Sequence, residues 1–375
     1  MHTPGISITR RLRQTPFSKK VFKEGVSNFT VYNHMLLPTV FRSVEEDYHH
    51  LKNAVQVWDV ACERQVEITG PDAKKLMEML TPRDLRKLTI DKCLYAPLTN
   101  LSGGIINDPV IVKVEEDRYW ISIADSDVLL WVSGIATGLS LNVRIFEPDV
   151  SILAIQGPLS NTLMQKVFGM DFDTVKLFSI VRVPFKDTSF IAARSGFSKQ
   201  GGFEIYVENS TYAEGLWDVF FEAGKSLDVS AGCPNGIERV EAGLLSYGND
   251  MTINDNPIEC GLEKFCKKGI DWSTGKVKSF IGDKALKKVM EEGPKKIIRS
   301  IEMEGKPIPL CMEPWPVHFK NKKVGQITSA AFSPDFKTNV SLGMVSIEYS
   351  SGSSELEVET PNGTRLAKIH EKSFI

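Results

Sequence analysis

From residue 297 onward the sequence is written almost entirely in short extended segments, at 297–303, 317–319, 323–328, 340–347, 355–358 and 365–369, with Gly, Pro and Asn between them. Strands this short, joined by tight turns, bury their apolar faces only by closing on themselves or by stacking in two layers. The pattern therefore predicts a small β-barrel or sandwich at the C-terminus. A composition change after Trp272, into Lys-rich sequence running through Lys296, marks its approach.

Upstream the chain alternates. Residues 28–43 are aromatic and β-branched, so they read as extended structure broken at Pro38. Ser43 with Glu46 forms a capping box ahead of Tyr48, Leu51, Ala54 and Val55 at helical spacing. Strands are expected at 65–69, 95–99, 105–114 and 119–124, with a helix over 71–80 whose Pro71 suits a first turn. A helix over 126–139 and a strand at 141–145 follow, and the order restarts with a strand at 151–156, a helix at 158–168 and a strand at 179–183. Strand, helix and strand thus recur, as in repeated α+β units, though no residue pattern repeats at a fixed period. Two further helices are expected, over 210–225 with Leu216, Trp217, Phe220 and Phe221 in a core, and over 234–246, stopped by the glycine turn at 247–252. At 375 residues the chain is too long for one ordinary core, and two or three domains are expected.

Residues 194–207 combine a glycine-rich turn with a short alternating strand. Phe203, Ile205 and Val207 fall on one face, which places Glu204 and Tyr206 together on the other. Phe197, Lys199 and Gln200 lie in the turn, and Gly196, Gly201, Gly202 and the more distant Gly232 are expected to let backbone approach a ligand closely. The plainer alternative is a hairpin with a solvated polar face. Asp108 is the second candidate, because strand alternation sets it on the side of Val110 and Val112. An acid there needs a partner or titrates abnormally, unless it is a turn aspartate satisfied by backbone amides. Arg239, between Glu238 and Glu241, reads first as part of an ion pair.

Several function classes fall away. A net charge of -2 lacks the basic excess of a general nucleic-acid binder. No apolar run is long enough for a membrane span, so a cytoplasmic protein is expected. The basic opening (Arg10, Arg11, Arg13, Lys19, Lys20, Lys23) mimics an organelle presequence in composition but lacks an amphipathic period. Six scattered cysteines without a C-x-x-C read as reduced packing residues, and the adjacent His49 and His50 cannot face one metal from a helix, so no metal is expected. The 269–277 stretch has the wrong spacing for a phosphate loop and Val277 where a hydroxyl is required. No dinucleotide fingerprint and no nucleophile elbow is present.

Four blocks in order, 102–108, 154–158, 240–250 and 324–334, resemble the aminomethyltransferase family, the folate-dependent T-protein of the glycine cleavage system. Six more resemble one branch of it, the dimethylsulfoniopropionate demethylases: Arg10-Arg-Leu-Arg13, Phe29-Thr-Val-Tyr-Asn-His34, Pro38-Thr-Val-Phe41, Asp59-Val-Ala-Cys-Glu-Arg64, Thr81-Pro-Arg-Asp-Leu85 and Ser195-Gly-Phe-Ser-Lys-Gln-Gly-Gly-Phe-Glu204. The Arg-rich opening belongs to that pattern, which speaks against a presequence. The resemblance implies an α+β, three-domain, ring-shaped T-protein-like folate-binding fold: residues 1–55 with 141–275 as a first folate-binding domain, 56–140 as a second α+β domain, and 276–375 as the β-barrel. It implies transfer of a methyl group from dimethylsulfoniopropionate to tetrahydrofolate, giving methylmercaptopropionate and 5-methyltetrahydrofolate. Within it Asp108 is catalytic, near the reacting edge of the folate, Glu204 bonds the pterin, Arg239 lies near the folate, and Tyr95 takes the place of a less constant channel residue. Asn107-Asp108 stands where T-proteins have two aspartates, and Lys199 and Gln200 stand where they have Gly and Glu, which argues against aminomethyl-lipoate as donor.

The chemistry fits a sulfonium donor, whose leaving group is a neutral thioether; alignment and exclusion of water are the main demands, with no metal or covalent nucleophile needed. The cationic sulfur favours aromatic faces at about 0.5 to 2 kcal/mol each, and Tyr206, Phe197, Phe203 and Tyr32 are the candidates. The donor carboxylate needs a cation, Lys199 or, after it, Lys20. Asp108 would orient the folate and stabilise positive charge as nitrogen is alkylated. Transfer from another small donor such as dimethylglycine, and a non-catalytic folate-binding module, remain the alternatives. The expected partners are the small-molecule donor and folate, with neither nucleic acid nor membrane, and a homodimer as the assembly considered.

Overall fold

The computed structural model describes residues 7–266, 270–271, 276–277, 279–352 and 355–375. The 269–277 stretch, rejected above as a phosphate loop, lies outside them apart from the short paired strands Ile270–Asp271 and Lys276–Val277. The chain divides into two compact units, one of Met1–Val66, Glu147–Gly196 and Gln200–Asn235, the other of Glu67–Phe146, Phe197–Lys199 and Gly236–Ile375.

In the first unit the 28–43 segment is a hairpin, Asn28–Tyr32 against Met35–Val40. Its two turn residues, Asn33 and His34, have φ of 50° and 61°, the left-handed pair that lets a two-residue turn follow strand twist. Pro38 sits inside the second strand without breaking it, because a two-stranded ribbon leaves each strand an open edge where a missing N–H goes unfelt. Ser43 Oγ accepts from the Glu46 N–H at 3.1 Å and caps the helix Val44–Asn53, as its sequence predicts. That helix ends before Val55, which instead opens the fully buried strand Val55–Asp59.

A six-stranded sheet organises this unit, in the order Ile180–Phe185, Thr188–Ala193, Gly202–Glu208, Val150–Gln156, Val55–Asp59, Val229–Gly232. The pairs are antiparallel except the last, which is parallel. On one face Val55, Val57, Leu153, Ile155, Phe203, Ile205 and Val207 meet an aromatic core from the helices Ser160–Phe168 and Ala213–Gly224. Phe172 packs edge-on against Phe203 at 5.1 Å and Phe168 against Phe220 at 5.7 Å. Burying each such ring contributes about 1.5 to 3 kcal/mol. The basic opening joins the same core: Phe17 and Val21 are buried in it, Arg13 pairs with Glu147, and Lys20 pairs with Asp218.

The second unit contains a five-stranded sheet, in the order Arg144–Phe146, Gln65–Thr69, Arg118–Ser122, Val110–Glu115, Cys93–Tyr95, with the helices Ala73–Leu80 and Val128–Gly138. Two strands predicted as continuous are broken. The 95–99 segment splits into Cys93–Tyr95 and Leu98–Thr99, and 105–114 into Ile105–Asn107 and Val110–Glu115. Both breaks fall at a proline, Pro97 and Pro109, and the Ala96 N–H donates to the Pro109 carbonyl at 2.9 Å. The chain changes sheets at these points, since Leu98–Thr99 and Ile105–Asn107 pair with each other outside the five-stranded sheet.

C-terminally a barrel closes over six strands: Lys296–Met303, Thr338–Ser346, Lys322–Ser333, Trp315–Phe319, Leu356–Thr360 and Gly363–His370. Ile301, Val317, Ile327, Val345, Val358 and Ile369 are among its core residues. Between the predicted barrel and sandwich, the structure selects the barrel. The Lys-rich approach carries a helix, Asp283–Glu292, that the sequence reading did not assign. The helix predicted over 234–246 is only Gly236–Glu241; Gly243, at φ 67°, stops it before the glycine turn expected to do so.

Candidate functional site

In the second unit, the two proline breaks bring Tyr95 and Asp108 together. The Tyr95 hydroxyl donates to Asp108 Oδ2 at 3.0 Å. Asp108 Oδ1 is closed from solvent and, among the described residues, has no hydrogen-bond partner. Burial pushes the Asp108 carboxyl up to about 7, against the Tyr95 hydrogen bond and its own backbone N–H, which pull it down. Burial and the neighbouring Asp108 charge hold the Tyr95 phenol well above its ordinary range. Phe265 packs edge-on against Tyr95 at 4.8 Å, and the Arg83 guanidinium lies 5.1 Å from the Phe265 ring centre. Tyr247 donates to the Ile105 carbonyl at 3.0 Å and belongs to the same apolar cluster. Asp108 is therefore no turn aspartate saturated by backbone amides.

Its neighbour Asn107 points elsewhere. The side-chain amide donates to the Ala124 carbonyl at 3.0 Å and to Ser126 Oγ at 2.7 Å, and its oxygen accepts from the Ala124 N–H at 2.9 Å. A carboxylate could make only the last of these.

Arg239 lies in an ion-pair network. Nη1 donates to Asp250 Oδ2 at 2.8 Å and Nη2 to Ser329 Oγ at 2.6 Å. Ser329 and Thr328 in turn donate to Asp250 Oδ1 at 2.6 and 2.7 Å. The network ties the segment after the Gly236–Glu241 helix to a barrel strand, with the Asp250 side chain 0% and the Arg239 side chain 14% exposed.

In the first unit Glu204 and Tyr206 do share a face, and that face is buried: they are 6% and 0% exposed. The expectation of a solvated hairpin is overturned, because Gly202–Glu208 is an interior strand of the six. Glu204 is flanked across the sheet by Ala154 and Ala193, and it accepts from Ser195 Oγ. Burial raises its pKa and the Ser195 bond opposes the rise. Three of the four glycines serve packing here, whereas a Cβ on Gly201 would meet nothing within 4 Å among the described residues. A Cβ on Gly196 would sit 2.1 Å from Gln156 Nε2, one on Gly202 2.2 Å from the Ile155 carbonyl oxygen, and one on Gly232 2.2 Å from Gln56 Oε1. Their missing side chains admit the protein's own glutamines and backbone, where a ligand had been expected.

On the donor side, Phe197 and Tyr32 are half-buried and the Lys199 side chain is exposed, while the Lys199 N–H donates to Glu238 Oε1 at 2.7 Å. Lys20 Nζ is held by both oxygens of Asp218 at 2.7 Å. Tyr206 and Phe203 have no solvent access.

The family model for the GCVT N-terminal domain matches residues 19–269, and that for the glycine cleavage T-protein C-terminal barrel domain matches residues 296–375. The chain belongs to the glycine cleavage T-protein family. Among its relatives is the dimethylsulfoniopropionate demethylase DmdA of Ruegeria pomeroyi, 49% identical over 363 residues, or 97% of each chain. An aminomethyltransferase of a Thermoanaerobacter species is 29% identical over 97% of each chain. The crystal structure of the glycine cleavage system aminomethyltransferase T from Bartonella henselae has the same fold, with a TM-score of 0.84 at 22% identity over 97% of this chain and 98% of that one.

Within this T-protein fold, four residues beside the candidates were given no role by the sequence reading. Ser195, Arg83 and Tyr247 stand inside quoted blocks, so proximity in sequence to Glu204 or to the family motifs was the available signal. Phe265 follows no motif; only the tertiary fold brings it to Tyr95.

Proposed function

We propose that this chain is a tetrahydrofolate-dependent methyltransferase that demethylates dimethylsulfoniopropionate, leaving methylmercaptopropionate and 5-methyltetrahydrofolate. The observation that carries the reading is Asp108: a buried carboxyl with one oxygen held by Tyr95 and the other without a partner. Such an atom costs about 1 to 3 kcal/mol unless a ligand satisfies it, so the residues present fit a folate with a hydrogen-bonding edge. The relative at 49% identity carries the choice of donor.

Tetrahydrofolate, when bound, supplies the nitrogen that accepts the methyl group. Tyr95 orients Asp108, and ionised Asp108 stabilises the positive charge that arrives with the methyl. Glu204 is assigned to the pterin. Arg239 is occupied by Asp250 and Ser329, so its contribution is to hold the 239–250 segment in place near the folate. On the donor, the carbon–sulfur bond breaks with its electron pair remaining on sulfur to leave a neutral thioether, while the nitrogen lone pair would form the new carbon–nitrogen bond and the nitrogen's proton would be released to water. Phe197 and Tyr32 are the accessible aromatic faces for the sulfonium, and Lys199 the accessible cation. Tyr206 and Phe203, closed from solvent, and Lys20, held by Asp218, support their strand and helix in this reading.

A cytosolic setting belongs to this reading; the six cysteines form no disulfide with one another. The test is direct: purified protein is mixed with tetrahydrofolate and a panel of methyl donors, and products are read by mass spectrometry. Equal amounts of methylmercaptopropionate and 5-methyltetrahydrofolate are expected from dimethylsulfoniopropionate. Methyl transfer from dimethylglycine alone would overturn the assignment.

A further inference from the structure

Arg83 stands out among the cationic side chains of the second unit. It is half-buried, and among the described residues it makes no ion pair. The nearest acid in sequence, Asp84, is taken by Arg86, whose Nε donates to it at 2.9 and 3.1 Å and whose Nη2 donates at 2.7 Å. Among the described residues Arg83 hydrogen-bonds through its backbone N–H, to Thr81 Oγ1 at 3.1 Å, and not through its guanidinium. The guanidinium instead lies over Phe265, 5.1 Å from its ring centre. Exposed Lys264 approaches the same ring, at 4.9 Å, and brings a second positive charge that makes no ion pair among the described residues. Phe265 packs on Tyr95, and Tyr95 bonds Asp108. A guanidinium that feels the Asp84 charge but makes no ion pair among the described residues thus sits two ring contacts and one hydrogen bond from the carboxyl that carries the proposed chemistry.

Partial burial of that charge is unfavourable, and burial pulls the Arg83 pKa below its ordinary value. Lying over a ring face recovers part of that cost and satisfies none of the guanidinium's hydrogen-bond donors. The planar fork matches a carboxylate in two parallel hydrogen bonds, a geometry that lysine cannot reproduce.

We propose that Arg83, lying over Phe265, is a specificity-determining residue that clamps a ligand carboxylate beside the Tyr95–Asp108 pair. The inference rests on the folate and sulfonium-acid reading above. Two ligands of that reaction bring a carboxylate, the propionate of the donor and the glutamate of the folate, and the recognising chemistry is the same for both.

The test compares each acid with its neutral ester by calorimetry: dimethylsulfoniopropionate against its methyl ester, and tetrahydrofolate against its glutamate diester. In the wild-type protein the acid that Arg83 holds should bind about 10- to 100-fold tighter than its ester. Arg83→Leu should bring that ratio close to one for that ligand and leave the other ligand's ratio unchanged, and the ligand affected identifies the source. Arg83→Lys keeps the charge, loses the fork and should lower the ratio part-way; it serves if the leucine variant fails to fold. Ratios unaffected by both substitutions for both ligands overturn the inference alone. Failure of either acid to bind the wild-type protein overturns it together with the proposed function.

Discussion

Replacing Tyr95 by phenylalanine removes one hydroxyl and keeps the ring against Phe265, so its effect is read through Asp108. The Tyr95 bond is the largest influence holding the Asp108 carboxyl down, and with it in place the group titrates at about 7. A hydrogen bond to a charged group contributes about 1.5 to 3 kcal/mol, and one pKa unit is about 1.4 kcal/mol. Losing the bond should move the carboxyl up by about one to two units, to roughly 8 or 9.

If ionised Asp108 is the active form, kcat/KM for dimethylsulfoniopropionate rises with pH through the Asp108 pKa. Tyr95→Phe then shifts that limb to the alkaline side. At pH 7 about half of the wild-type carboxyl is ionised, against roughly a tenth to a hundredth in the variant, so the variant should be about 5- to 50-fold slower. At pH 9 the deficit should shrink to within about twofold. Product formation followed by mass spectrometry from pH 5.5 to 9.5 makes the comparison. A limb that stays in place, or a deficit equal at pH 7 and pH 9, would refute the reasoning and make Tyr95 a binding residue whose hydroxyl does not tune Asp108.

Asp59 gives a second pH effect, in stability. Burial raises its carboxyl from an unfolded value near 3.8 to about 7 in the folded protein, so the folded state holds the extra proton between those values, and stability present at low pH is lost as pH rises through 7. In Asp59→Asn the fall in denaturant midpoint from pH 5 to pH 8 should be smaller by an amount equivalent to about 2 to 4 kcal/mol; an identical fall in both proteins refutes the assignment. Asp250→Ala strands the Arg239 guanidinium and should cost about 3 to 5 kcal/mol in urea unfolding, whereas a loss below about 1 kcal/mol would mean that the network relaxes freely. Gly202→Ala drives a Cβ to 2.2 Å from the Ile155 carbonyl oxygen at φ 153°, and a loss of about 3 kcal/mol or more is expected by thermal unfolding.

The barrel was legible in the sequence because its strands are short, alternating and punctuated by turns, and all six predicted segments fall on observed strands. Less legible were the places where local and tertiary preferences compete. Val55 continues the helical spacing of Tyr48 and Leu51 yet starts a strand, because the sheet offers it a fully buried position beside Leu153 and Ile155. The Asp108 and Tyr95 backbones look continuous with their strands until Pro97 and Pro109 divert them between sheets. Gly196 and Gly202 announce close approach correctly but not what approaches, since a buried glutamine and a ligand make the same demand on Cβ, and Gly201 is approached by nothing among the described residues. An ion pair such as Arg239 with Asp250 was expected in kind, but the partner, beyond the stop at Gly243, was not.

Asp59 and Asp108 show why a raised pKa alone does not locate chemistry. Both are buried carboxyls pushed to about 7 by the same cause. Asp59 has both oxygens engaged, one by the Thr15 hydroxyl and one by the Ala61 N–H, and its neighbour Thr15 also bonds Ser18. Nothing is left over for a ligand, so the strain there belongs to anchoring the N-terminal segment against the sheet. Asp108 has one oxygen engaged and one closed from water without a partner. The free energy withheld at that atom is recovered only when something donates to it, and a bound substrate can supply the donor. A hydrogen-bond donor built next to Asp108 Oδ1 would stabilise the protein without ligand and weaken its hold on folate by the same interaction.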